Sequence, residues 1–277
     1  MLKDGGVPDP QARQAGRQAP SWRNPTVIHN VFALLSLLPA RPRRAAVRKL
    51  MDTVWDLRTT LEVTGRESVP EGPCLFICNH LSNADGFTLD RALRPRRVFF
   101  LAGIKLQGTI MTRLGTEAVD TIFIRPNTSD IEPLKRAVET LKAGHSVLIF
   151  PEGGRSRTGA LIQAKKGVSL IAKRAGVPIV PLALTGTERF MPIDEEHMGR
   201  ERVLRAHLTV RFGPPFRMEE LEAEVTGAKD PRQALTDAMM RRVAQLLPPE
   251  YRGVYASPSP PETKDPGPDA SSPATSR

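Results

Sequence analysis

Short apolar runs alternate along this chain with longer stretches in which apolar residues recur at helical spacing. The runs at 57–63, 74–78, 97–101, 121–124, 146–150, 179–184 and 204–212 read as strands. Between several of them, 84–93, 106–114, 131–143 and 163–175 carry helical patterns, and 218–225 and 231–247 read as C-terminal helices. That alternation predicts an α/β layered fold with a mixed or largely parallel central sheet flanked by helices. Folds of this kind build their sites along one edge of the sheet, where strands end. Two of the runs, 74–78 and 146–150, lead straight into polar clusters.

The N-terminal pattern differs. Residues 1–25 are polar and rich in Gly, Pro and Gln, with no secretory signal. The apolar stretch 26–38 is too short to span a bilayer, which takes about 20 apolar residues. Pro39 and the cluster Arg41-Pro42-Arg43-Arg44 follow it. It reads as an interfacial helix paired with a second over 44–57, where Ala46, Val47, Leu50, Val54 and Leu57 recur at helical spacing, so 26–57 form N-terminal amphipathic helices. An ordinary amphipathic helix covering the core is the other reading. The main domain is assigned to 58–250 and a Pro/Ser-rich disordered tail to 251–277.

Charge adds a partner class. Across 277 residues the formal net charge is +10, with the excess clustered in 41–44, Arg48-Lys49 and Arg91 through Arg97. Such clusters beside an apolar segment suit an anionic membrane surface. Nucleic acid is the other partner of a basic face, but aromatics are only 5% of residues and no reader motif is present, so nucleic acid is set aside. Cys74 and Cys78 lie four apart in a strand pattern, which places them on one face; with no His cluster beside them no metal site is expected, and a reduced setting fits.

The polar clusters carry the chemistry. Asn79-His80-Leu81-Ser82-Asn83-Ala84-Asp85-Gly86 sets a histidine and a carboxylate close together after a strand. If a helix starts near Ser82 or Asn83, His80 and Asp85 sit about one turn apart. A neutral histidine, with an ordinary pKa near 6.5, can take a proton from a hydroxyl. A carboxylate on its other nitrogen fixes the tautomer and stabilises the imidazolium. The second cluster is Phe150-Pro151-Glu152-Gly153-Gly154-Arg155-Ser156-Arg157. Its arginines suit a phosphate, and a Gly-Gly turn before a helix exposes backbone N–H groups to an anion. Either cluster could be no more than structural.

With these blocks on the page, the chain resembles the glycerolipid acyltransferase family, best known for the lysophosphatidate (1-acylglycerol-3-phosphate) acyltransferases. Four blocks match in order over roughly 60–215: the H-x-x-x-x-D motif from His80 to Asp85; Thr121-Ile122-Phe123-Ile124-Arg125 with Lys105-Leu106 upstream; Phe150-Pro151-Glu152-Gly153 with Arg155-Ser156; and Val177-Pro178-Ile179-Val180-Pro181-Leu182. The resemblance implies transfer of a fatty acyl group from acyl-CoA or acyl-carrier protein to a lysophosphatidate hydroxyl, in phospholipid biosynthesis, with no other cofactor. It implies His80 as base and Asp85 as its partner, with Lys105, Arg125, Glu152, Gly153 and Arg155 on the acceptor side. It also implies a peripheral or monotopic place on the cytoplasmic face of the cell membrane. Another lysolipid or hydroxylated lipid acceptor, or a degenerate membrane-binding protein, are the alternatives.

Two departures stand out. Gly154 occupies the usual threonine position, and Arg125-Pro126 the usual Asp-Arg. Either Arg125 serves one position earlier, or Lys105 and Arg155 hold the phosphate. As a charge Glu152 does not suit phosphate; it accepts a hydrogen bond from an acceptor hydroxyl or braces Arg155. Lys165-Lys166-Gly167 meets CoA phosphates or the membrane, or simply starts a solvated helix. His145, His197 and His207 have no partner motif and are read as structural.

Overall fold

The computed structural model describes residue 30 and residues 33–103, 110–124, 131–194 and 201–256. Lys105, Arg125, His197, residues 1–29 and 257–277 lie outside the described residues. Residues 251–256, assigned above to a disordered tail, instead form short turns held by Leu161 N–H on Tyr251 O, with Tyr255 buried.

Strands β1 (Thr59–Thr64), β2 (Leu75–Cys78), β3 (Val98–Gly103), β4 (Asp120–Ile124), β5 (Ser146–Ile149), β6 (Ile179–Thr185) and β7 (Ala206–Phe212) form one sheet in the order β1-β7-β6-β2-β5-β3-β4. All pairings are parallel except β6 with β7. The sheet is therefore mixed and largely parallel, as the pattern predicts. The central strands β2 and β5 are buried at every position, because parallel strands covered on both faces must be apolar throughout. At the edge, β1 alternates half-buried and exposed positions.

Helices cover both faces. Leu75 and Ile77 of β2 point to one face, onto α4 (Glu132–Lys142), α5 (Gly167–Ala175) and α8 (Pro231–Leu246). Cys74, Phe76 and Cys78 point to the other, onto α1 (Ala40–Arg58) and α2 (Asp85–Leu93); both cysteines are free and buried. The remaining helices are α3 (Ile110–Ala118), the short α6 (Thr187–Phe190) and α7 (Met218–Glu224). Local chemistry sets several ends: the Asp230 side chain accepts from Gln233 N–H at 3.1 Å and Pro231 opens α8, and Gly176, at φ 63°, closes α5.

Several boundaries differ from the periodicity. The 163–175 helix begins only at Gly167, because the backbone before it is drawn elsewhere: Leu161 N–H donates to Tyr251 O and Lys165 N–H to Pro151 O. Leu57 lies in the last turn of α1, which ends at Arg58, rather than opening β1, and the chain turns extended only at the β-branched pair Thr59-Thr60. The strand expected over 121–124 is present and starts one residue earlier, at Asp120.

α1 lies on the sheet through Val47 and Trp55, both buried. The Trp55 ring meets Phe87 and Phe190 edge-on at 4.9 and 4.8 Å, and its Nε1–H donates to Thr88 Oγ1 at 3.0 Å. Thr88 in turn donates to Ala84 O, just before α2. Among the described residues no helix is long and apolar enough to cross a membrane. Trp55→Ala opens a cavity between α1, α2 and α6 and removes the Thr88 partner, so the free energy of unfolding should fall by about 3–5 kcal/mol. Urea denaturation checks this; a loss below about 1 kcal/mol would show that α1 is held by its surface ion pairs instead.

Candidate active site

The site begins where β2 runs out. Asn79 continues the sheet with its side chain: its amide donates to Leu184 O and accepts from Leu184 N–H, both at 2.8 Å. The chain then turns, and Asp85 opens α2 with its side chain fully buried. Asp85 Oδ2 accepts from Leu81 N–H at 2.6 Å and Ser82 N–H at 3.0 Å, and lies 2.7 Å from His80 Nδ1. The carboxylate thus closes the loop around itself and holds the imidazole at the same time. With Asp85 ionised, Nδ1 carries the hydrogen and Nε2 is the basic nitrogen. The ring plane is set from below, stacked on Phe150 with centroids 4.1 Å apart and 14° between planes.

Phe150 follows β5, and the parallel register of β2 with β5 explains why it arrives there. Ile77 pairs with Ile149, so His80 and Glu152 emerge side by side on one sheet edge. Glu152 is 3% exposed. Its Oε1 accepts from His80 N–H at 2.8 Å and its Oε2 from Ile162 N–H at 2.9 Å. Ser156 N–H returns a bond to His80 O at 2.8 Å. Burial pushes the Glu152 carboxyl up to about 7, with the Asp85 charge adding to the rise and the two backbone donors opposing it. Glu152 therefore ties the two loops together; it does not brace Arg155.

Arg155 turns to Glu201 instead. Its Nη1 lies 3.5 Å from Glu201 Oε1, which also accepts from Asn83 Nδ2 at 2.5 Å. The Glu201 side chain is 1% exposed. One buried carboxylate thus links the histidine loop, through Asn83, to the arginine of the second cluster. Nothing in the sequence marks it: Glu201 stands in an arginine-rich stretch, 46 residues beyond its partner.

The anion cradle expected at Gly153-Gly154 takes a different form. Gly153 sits at φ 69°, but its N–H is bonded to Phe150 O at 3.0 Å inside the turn. The helix that follows begins only at Gly167, so it does not continue directly from the turn. A Cβ at Gly153 would lie 2.8 Å from the Lys165 stem, which covers this residue. At Gly154 a Cβ would meet nothing within 4 Å, so crowding does not require a glycine there. Lys166 pairs with Asp230. His207 lies 3.2 Å from Glu62 and His145 near the Phe99 ring, both away from this loop cluster. Cys78 is no candidate nucleophile, because burial, with the Asp85 and Glu152 charges behind it, pushes its thiol well up.

The structure thus brings together His80, Asp85, Glu152, Gly153 and Arg155, adds Asn83 and Glu201, and leaves Lys105 and Arg125 outside the described residues. Chemically, it holds a tautomer-fixed imidazole over an aromatic ring, with a guanidinium on the neighbouring loop.

Residues 60–185 match the family model described as Acyltransferase. A chloroplastic 1-acyl-sn-glycerol-3-phosphate acyltransferase of Brassica napus is 36% identical over 140 residues, 49% of this chain and 40% of the relative. The Pseudomonas aeruginosa 1-acyl-sn-glycerol-3-phosphate acyltransferase is 30% identical over 53% of this chain and 61% of its own length. The chain therefore spans about two fifths of the Brassica relative. The crystal structure of the 1-acyl-sn-glycerophosphate (LPA) acyltransferase of Thermotoga maritima superposes with a TM-score of 0.55 at 20% identity, over 79% of this chain and 88% of that one; at that identity it supports the fold. The resemblance to glycerolipid acyltransferases is borne out over the domain that carries both clusters.

The raised Glu152 carboxyl has a consequence for stability. A carboxyl that holds its proton more tightly in the folded chain stabilises fully below its unfolded value near 4.5, and that contribution is lost as pH rises through about 7. It amounts to something on the order of 3 kcal/mol. Urea unfolding at pH 5 and pH 8 should show this loss, and Glu152→Gln should remove most of the difference. An unchanged pH difference in the variant would assign the effect to other groups.

Proposed function

We propose that this chain is an O-acyltransferase that moves a fatty acyl group from an acyl thioester to the free hydroxyl of lysophosphatidate, giving phosphatidate. The observation that carries this reading is the His80–Asp85 pair, with Nδ1 held at 2.7 Å and no protein partner on Nε2 among the described residues, inside a domain matching the Acyltransferase family model. Nε2 takes the proton from the acceptor hydroxyl, and the oxygen attacks the thioester carbonyl. The acyl–oxygen bond forms as the carbon–sulfur bond breaks, and the departing thiolate takes the proton from the imidazolium, which Asp85 stabilises in between. The enzyme needs no nucleophile of its own, which agrees with the inert Cys78 thiol.

Arg155 is the acceptor-phosphate residue in this reading. Its side chain is 16% exposed, and the long 3.5 Å contact to Glu201 leaves a guanidinium that is oriented yet able to take a second, dianionic partner. Lys105 and Arg125 complete the phosphate contacts. Acyl-CoA and acyl-carrier protein both present the required thioester. The exposed Leu34 and Leu37 ahead of α1 and the basic N-terminal clusters favour work at an anionic membrane surface, where such acceptors reside.

Purified protein is assayed with long-chain acyl-CoA, and then acyl-carrier protein, against lysophosphatidate, glycerol 3-phosphate and neutral lysolipids. His80→Ala should lower kcat about a thousandfold or more with an unchanged circular dichroism spectrum; retained turnover would sink the mechanism. Arg155→Ala should raise KM for lysophosphatidate by roughly 10–100-fold, with a much smaller change in kcat. Equal KM values for the two proteins, or turnover of neutral lysolipids alone, would remove the phosphate from the acceptor.

A further inference from the structure

The basic clusters that look like a diffuse charged surface in the sequence fold into a discrete feature. An open cleft of about 260 Å³ lies between α1, the end of α2 and the starts of β3 and β4. Its walls hold five arginines against two aspartates, a net charge of +3. The pairing is ordered. Arg48 and Arg94 both grip Asp90 at 2.9 Å, Arg94 also grips Asp52 just behind the wall at 2.9 Å, and Arg44 and Arg97 grip Asp120 at 3.0 and 2.6 Å. The fifth, Arg96, is anchored on the backbone oxygens of Pro70 and Gly72.

These pairs orient the guanidinium groups; Arg94 is offset by Asp90 and Asp52 together, but the five arginines still outnumber the three aspartates that grip them. Arg44 has one N–H on Asp120 and Arg97 has two, so each presents further donors toward the cleft from the five a guanidinium carries. Their exposure, 39% and 61% of the side chain, leaves them reachable from solvent. Burial works against ionisation of the Asp120 carboxyl, but Arg97 and Arg44 together hold it below the usual carboxylate range. A preorganised ring of guanidinium forks with residual positive charge matches a tetrahedral oxyanion.

The cleft is separate from the histidine site. Val98 and Asp120 sit at the N-terminal starts of β3 and β4, whereas His80 follows the C-terminal end of β2, and these strands run in parallel. The two therefore lie on opposite edges of the sheet. We propose that this arginine-lined cleft is a second binding site, for a phosphate monoester dianion. The exposed Leu34 and Leu37, and Leu38 beside them, lie six to ten residues before Arg44 along the chain. They favour a lipid headgroup, whose chains would meet those leucines, as the source; free phosphate presents the same group.

The test uses the full chain. Isothermal titration with inorganic phosphate, and flotation on phosphatidylcholine vesicles with and without phosphatidate, are run on His80→Ala,Arg155→Ala protein to silence the other site. Binding should weaken at least tenfold when Arg97→Gln is added, and should tighten when Asp120→Asn is added instead. A general folding defect would weaken both. Cleft-dependent binding of phosphatidate vesicles alone identifies a lipid source, and cleft-dependent binding of inorganic phosphate alone a soluble one; either supports the site. Binding to neither probe, or binding indifferent to both substitutions, overturns it.

Discussion

A single buried carboxylate holds the reactive part of this molecule in shape. Glu152 accepts one backbone N–H from His80 and one from Ile162, so two loops that are far apart in sequence meet on its two oxygens. Each of those N–H groups would otherwise be left without a partner, at a cost of about 1–3 kcal/mol. The loop carrying Ile162 is fixed from behind as well. Leu161 N–H donates to Tyr251 O, Val254 N–H donates back to Leu161 O, and Ala164 N–H donates to the Tyr255 hydroxyl. Gly253 allows that approach, since a Cβ there would lie 2.0 Å from Leu161 O. The C-terminal turns thus support the histidine through Glu152, without touching it.

The same economy governs the histidine loop. Asp85 is at once the first residue of α2, the acceptor for two loop N–H groups and the partner of the imidazole. A substitution there disturbs fold and chemistry together, whereas His80 projects outward and is separable from the fold. Trp55 joins this unit from the other face through Thr88, so α1 contributes to the position of α2 and hence of Asp85. The ion pairs of α1 with Asp90, Glu117 and Asp120 are half exposed and each worth little alone; their effect is on which way the arginines point.

The strands, most helices and both clusters are legible along the chain. Runs such as Leu75 to Cys78 are apolar throughout because both sheet faces are covered, and that burial is a local property of composition. The His80–Asp85 pair is legible for a related reason: a five-residue separation across a turn into a helix leaves few geometries. Failures fall where backbone donors are claimed from a distance. Residues 163–166 have helical spacing, yet Lys165 N–H is bonded to Pro151 O, and the Gly153 N–H expected to face an anion closes its own turn.

By itself, then, the sequence determines which segments become strands and helices, the order of the blocks, and the partner of His80, all set by periodicity and short-range spacing. The tertiary structure alone decides that Glu152 serves the backbone, that Glu201 orients Arg155, and that Arg44, Arg48, Arg94 and Arg97 converge on two aspartates around a cleft. Those contacts depend on strand order and register in the sheet. Sheet order brings together residues tens of positions apart, and no local pattern of apolar and polar residues encodes it.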